Sequence, residues 1–183
     1  NDGTANWEGD WIEDDRAGSG PGAGNVDVYQ GELWLRDRPD TGTQPSLARE
    51  VDLSRATRAA FSFDFRTTPY VDTSDAVVVE VSRDGGVNYK TLETFTGIRG
   101  AISGSRAYDI SSFISADTRI RFRVTNLYGG RSEYFVVDDV QIKFIASTPT
   151  LDARPTSVIY TDGTKVARLD TGQALLSTPV ESK

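Results

Sequence analysis

The sequence predicts an all-β fold, an antiparallel β-sandwich, and three observations carry that prediction. Apolar and polar residues alternate with a period of two in several separated runs. Phe61, Phe63 and Phe65 alternate with Ser62, Asp64 and Arg66, and Ile120, Phe122 and Val124 with Arg119, Arg121 and Arg123. Such alternation marks a strand with one buried face. Turn signals separate the runs, among them Gln30-Gly31 and Asp84-Gly85-Gly86, residues that tolerate the positive φ of tight hairpins. No helical periodicity is sustained; SRATR and ISSFI offer a single turn at most.

The elements follow in order. A strand is expected around Trp7–Trp11, then short ones at Val26/Val28, Leu33/Leu35 and Val51/Leu53. Phe61–Phe65 is the next, followed by Val77, Val79 and Val81 and a return through Tyr89 and Leu92. Ile120–Val124 and Phe135–Phe144 complete about eight or nine strands, the pattern of a sandwich. In the last of these, Phe135 and Val137 occupy odd positions, while Val140, Ile142 and Phe144 occupy even ones. A strand with one buried face cannot change parity without an inserted residue, so a β-bulge is predicted at Asp138-Asp139. The first and last strands are expected side by side, bringing the acidic start WEGDWIEDD near those two carboxylates.

Residues 1–146 read as the sandwich. Residues 147–157, with two prolines at 149 and 155, read as an extended linker. Residues 158–183 read as a β tail: Val158 and Tyr160, an Asp162-Gly163 turn, then Val166 and Leu169. Two strands alone bury too little surface to be stable, so the tail is expected to dock on the main domain or on another copy of the chain.

Composition narrows the chemistry. With 183 residues, 37% of them hydrophobic, and 17 Gly, one domain with a short appendage is expected. The chain has no Cys, His or Met, which removes thiol nucleophiles, Cys/His zinc sites, the Ser-His-Asp triad and haem held by His or Met. A net charge of −7 argues against nucleic acid or an anionic membrane as partner. No apolar run approaches the length that spans a bilayer. This acidic, Cys-free composition reads as extracellular or cell-surface, and the start at Asn1 without Met as that of a processed chain.

Several residues are candidates for chemistry. Asp138 and Asp139 interrupt an apolar strand with no Lys or Arg beside them, and a calcium ion would hold them; otherwise one faces water and the other accepts backbone hydrogen bonds. Glu8, Asp10, Glu13, Asp14 and Asp15 could supply further calcium oxygens, or form a solvated strand edge. Asp72 and Asp75 form a second acidic loop, a calcium site or an Asx-turn. Asp64, Asp72, Asp75 and Glu80 show no sign of the sugar cleft that a glycosidase pair requires. Arg119, Arg121 and Arg123 form a stripe that grips an acidic polysaccharide or pairs with Asp64 or Glu80 across strands. Trp34, between Leu33 and Leu35, points opposite to them; with Tyr29, and then Tyr70, Tyr89 and Tyr128, it is a candidate sugar-stacking platform.

The motifs WEGDWIEDD, VDLSRATRAAFSFDFR, DTSDAVVVEVSRDGG, YDISSFISADTRIRFRV and YFVVDDVQI, in that order, resemble MAM-like and carbohydrate-binding-module-like jelly-roll modules of secreted bacterial surface proteins. The resemblance covers roughly Trp7 to Ile142. It implies a jelly-roll sandwich and a structural calcium between the first and last strands, held by Asp138 or Asp139 with Glu8 or Asp10. It does not reach the tail.

The function expected from these readings is a non-catalytic, calcium-stabilised structural or adhesive protein. It would self-assemble by strand addition through Val158, Tyr160, Val166 and Leu169. The alternative is a carbohydrate-binding module with polysaccharide as partner.

Overall fold

The computed structural model describes residues 7–146, except 19, 21, 39–42, 127, 131 and the Glu8 side chain, together with the backbone of Ser157–Asp162 and Lys165–Asp170. The predicted class holds: two antiparallel sheets form a β-sandwich. The first sheet has the order β1 (Trp7–Asp14), β5 (Ser46–Val51), β10 (Thr118–Asn126), β7 (Ala76–Ser82) and β8 (Lys90–Phe95). The second has the order β2 (Gly22–Ala23), β3 (Val26–Tyr29), β4 (Glu32–Leu35), β11 (Phe135–Ala146), β6 (Ala56–Thr67) and β9 (Ser103–Asp109). One 3-10 turn, Ser111–Phe113, falls within ISSFI, while SRATR runs into β6.

The alternating runs build the core as expected. Phe61 and Phe63 on β6, Val77, Val79 and Val81 on β7, and Ile120, Phe122 and Val124 on β10 are all buried. The sheets interlock through aromatic rings: Phe63 meets Phe122 edge-on at 5.0 Å, and Phe95 meets Phe135 at 4.9 Å, the arrangement that ring quadrupoles favour. At one lateral opening the sheets are clasped. Glu93 of β8 accepts from Arg106 Nε at 2.9 Å and from Tyr108 Oη at 2.5 Å, both on β9.

The turns are those the residues announced. Gln30 and Gly31 have φ of 54° and 86°, so both central positions of the β3–β4 hairpin are left-handed. The predicted bulge is present. Between Asp138 and Gln141 the register slips, so that positions 138 to 141 of β11 face 64 to 62 of β6. Asp139 carries the distortion at φ 48°. The slip lets Val137 and Ile142 both enter the core. Phe144, expected inside, is 38% exposed because β11 runs past the end of the core.

The expected pairing of first and last strands is corrected. β1 pairs with β5 at the edge of the first sheet, whereas β11 lies between β4 and β6 in the second. Asp10 and Glu13 nevertheless line the same inter-sheet cavity as Asp138 and Asp139.

The chain divides into two compact units, Asn1–Ser147 and Thr148–Lys183. In the second, β12 (Ser157–Asp162) and β13 (Lys165–Asp170) pair antiparallel, with Val158 opposite Leu169 and Thr161 opposite Val166. The predicted hairpin therefore exists as backbone. The side chains of Val158, Tyr160, Val166 and Leu169, the turn at Gly163 and the linker through residue 156 lie outside the described residues.

Candidate functional site

The two outer faces of the sandwich differ in what they leave free. On the first sheet, Arg121 and Arg123 reach Glu80 at 2.8 and 2.9 Å, and Arg119 Nε donates to Glu50 at 3.0 Å. The Arg121 guanidinium also lies 3.5 Å from the Tyr89 ring centroid, covering that candidate platform. Asp64, the other expected partner, sits on the opposite sheet and takes no part. Glu80 is 4% exposed. Burial pushes its carboxyl up, but hydrogen bonds and charge from Arg123 and Arg121 outweigh this and hold it below the ordinary range. A ligand that drew these arginines away would strand a buried carboxylate, at a penalty of about 3–5 kcal/mol. This face is a structural lattice.

The second sheet presents a different surface. Residues opposed across five strands form one row: Asp27, Trp34, Val136, Arg66 and Ser103. The neighbouring positions are Tyr29 opposite Glu32, and Asp138, Asp64 and Ser105 in sequence across β11, β6 and β9. Trp34 points outward as the flanking leucines predict, since Leu33 and Leu35 are buried in the core. Its ring meets Tyr134 at 5.0 Å and Tyr29 at 5.7 Å, both edge-on.

Charged groups fix these rings. The Arg66 guanidinium lies 4.7 Å over the Trp34 ring, and its Nε donates to Glu32 at 3.1 Å. Trp34 Nε1 donates to the same carboxylate at 3.2 Å. The Arg66 hydrogen bond is the largest influence on Glu32; burial opposes it, and the carboxyl is held below its usual range. Arg36 stacks over Tyr134 at 5.1 Å, donates to its hydroxyl and reaches Asp27 at 3.5 Å. One face of Trp34 is therefore occupied, whereas Tyr29 is 57% exposed. Two shallow depressions of about 300 and 330 Å³ lie along this row. The first is lined by Tyr29, Trp34 and Tyr134, the second by Asp64, Arg66, Ser103 and Ser105. Of the remaining ring candidates, Tyr128 is fully buried and belongs to the core, and Tyr70 is exposed in a loop.

Several of the acidic candidates accept local backbone hydrogen bonds. Asp138 and Asp139 are both exposed, and Asp138 Oδ1 accepts from the Asp139 N–H at 2.8 Å. Asp72 Oδ1 accepts from the Ser74 N–H at 2.8 Å, an Asx-turn. Asp75 is buried and accepts from the N–H groups of Asp72 and Tyr128 at 2.8 and 2.9 Å. Asp15 anchors the following loop through the N–H of Ala17 at 2.9 Å, and Asp14 is exposed. Among the described residues no three carboxylates converge on a point where they could hold a metal ion; the Glu8 side chain is not among them. Asp10, Glu13, Asp138 and Asp139 line one cavity.

That cavity, of about 400 Å³, opens between the sheets beside β1. Its floor is Val26, Leu33, Leu47 and Val137, and Trp11, Glu13 and Arg49 line its wall. Arg49 shares the inward parity of Leu47 and Val51 on β5 and is held by two indoles, 5.0 Å from Trp7 and 5.4 Å from Trp11. Only the pairing of Trp7 and Trp11 four residues apart hinted at this, and the half-buried arginine beside them was not legible. Tyr134, Arg36 and Arg66 were also missed. Arg66 had the same outward signal as Trp34, but nothing local says that the two side chains meet.

No protein-family model and no curated protein matches the chain. Among solved structures it is similar to carbohydrate-binding and adhesin modules. A family 29 carbohydrate-binding module complexed with cellulohexaose aligns at 12% identity and a TM-score of 0.43, over 72% of this chain and 89% of that one. The N-terminal cellulose-binding domain of Cellulomonas fimi β-1,4-glucanase C aligns at 13% identity and 0.48, over 75% and 90%. The K3 adhesin domain of Lys-gingipain from Porphyromonas gingivalis aligns at 14% identity and 0.47, over 73% and 91%.

Proposed function

We propose that this protein is a non-catalytic, extracellular carbohydrate-binding module, and that a polysaccharide chain lies across the outer face of its second sheet. The observation that carries this reading is the row from Tyr29 and Trp34 to Ser103 and Ser105. It offers one exposed aromatic ring, then exposed carboxylate and hydroxyl groups, across β3, β4, β11, β6 and β9. Four inter-strand spacings of about 4.8 Å make a track roughly 19 Å long. A sugar presents an apolar face to a ring and hydroxyls to the flanking polar groups. The Arg66, Glu32 and Arg36 network holds the rings before any ligand arrives, which reduces the ordering penalty of binding.

Affinity gel electrophoresis against soluble polysaccharides tests the reading. Retardation by at least one neutral glycan is expected, with Tyr29→Ala weakening it about tenfold, a loss of about 1.4 kcal/mol. Tyr29 is the clean probe because its ring is exposed, whereas Trp34→Ala also removes a braced side chain. If no polysaccharide retards either protein, the reading fails.

Calcium stabilisation is a secondary proposal, supported by the cavity that Asp10, Glu13, Asp138 and Asp139 share. A melting temperature raised by calcium and restored by EGTA is its expected outcome, and identical values reject it. Self-assembly through the tail is supported by the separate two-stranded sheet of β12 and β13, an arrangement marginal in water by itself.

A further inference from the structure

The cavity beside β1 shares Glu32 and Asp138 with the outer row, but its floor is apolar and its chemistry is different. Two polar atoms in its wall are buried without a hydrogen-bond partner among the described residues: Arg49 Nε, a donor, and Glu13 Oε1, an acceptor. The other Glu13 oxygen accepts from the Gly20 N–H at 2.8 Å. Among the described residues Arg49 Nη2 donates to the Gly9 carbonyl, at 3.4 Å. Buried polar groups are nearly always satisfied, and one left unsatisfied has lost its hydration without a replacement. A ligand that supplies an acceptor to Arg49 and a donor to Glu13 would recover both.

The lining says what kind of ligand. Most of it is apolar: Trp11, Val26, Val28, Leu33, Leu47, Val137 and Val140. The polar wall is predominantly negative, with Asp10, Glu13, Asp138 and Asp139 against Arg49, while Glu32 is already held by Arg66. Burial pushes the Glu13 carboxyl above its usual range, and it pushes the Arg49 guanidinium below its own against the opposing charge of Asp10.

We propose that this cavity binds the amino end of a peptide that begins with an apolar residue. The ammonium donates to Glu13, the first peptide carbonyl accepts from Arg49, and the apolar side chain lies on the valine and leucine floor against Trp11. A sugar would leave that floor without a matching surface, and an acidic ligand would meet four carboxylates. A volume of about 400 Å³ suits one residue and the start of the next.

Titration calorimetry of the full chain in EGTA, with Leu-Gly-Gly as the probe, tests this. Leu-Gly-Gly is expected to bind at one site. Its N-acetylated form, which lacks the ammonium, is expected to bind about tenfold more weakly, the scale of one charged hydrogen bond. Glu13→Gln should weaken the free peptide and leave the acetylated one nearly unchanged, and Asp-Gly-Gly should bind worse than Leu-Gly-Gly. Equal binding of the free and acetylated peptides, no binding of either, or glucosamine competing as well as the peptide would each overturn the proposal. Tyr29→Ala serves as the control for the outer face. Peptide binding should survive it, whereas a wild-type chain that binds polysaccharide but no peptide removes only this inference.

Discussion

Two carboxylates, Asp84 and Glu80, show opposite ways in which a residue is held ionised. Asp84 caps the β7–β8 hairpin, accepting from the Asn88 N–H at 2.8 Å, Asn88 Nδ2 at 2.7 Å and Ser82 Oγ at 2.7 Å. These bonds, those from Asn88 foremost, bring its carboxyl down from 3.8 to about 2. A carboxyl depressed on folding contributes stability that is present above its unfolded value and is lost as pH falls through the folded one. The melting temperature of the wild type is therefore expected to fall toward that of Asp84→Asn as pH drops from about 4 to about 2. Parallel pH curves for the two proteins would show that the cap is not ionically maintained. Glu80 is held by charge instead, between Arg121 and Arg123. Glu80→Gln keeps the shape and removes the charge. Because the two guanidinium groups are 22% and 25% exposed and retain some solvent, a cost of about 2 kcal/mol is expected in urea unfolding, below the full value for a buried pair.

The bulge in β11 is where sequence pattern becomes element geometry. Asp139 occupies the left-handed region, which disfavours a residue with a Cβ by about 1–2 kcal/mol. Asp139→Gly is therefore expected to raise stability, or leave it unchanged, by less than about 1 kcal/mol, whereas Asp139→Val should lower it by about 1–2 kcal/mol. Deleting Asp139 is the sharper test. Without the extra residue either Val137 or Ile142 must turn to solvent, so cooperative unfolding should be lost; a deletion variant that melts normally would mean the bulge is dispensable. The parity change from Val137 to Val140 made this feature legible. β9 was not. Its residues SGSRAYD are small or polar and carry no apolar alternation. It is a strand because it completes the sheet edge beside β6, and Gly104 admits the Phe65 ring, which a Cβ there would meet at 3.2 Å.

For the whole molecule, every fully buried core residue among the described ones falls between Val26 and Ile142. A chain ending at Ser147 is therefore expected to unfold cooperatively with the melting temperature of the full chain to within a few degrees. Light scattering of the two forms then tests the tail's part in assembly. A full-length oligomer beside a truncated monomer supports strand addition, and equal size removes it. The sequence by itself determined the all-β class, the principal core strands, the hairpin turns, the bulge and the outward aim of Trp34, because all of these follow from a period of two and from which residues tolerate positive φ. Only the tertiary structure decided that β1 and β11 lie in different sheets, that the arginine stripe is consumed by Glu80 and Glu50, and that Arg66 covers Trp34. It alone placed Arg49 in a cavity with Glu13. These are contacts between residues far apart in the chain, and alternation fixes which face a side chain takes without fixing which strand will lie beside it.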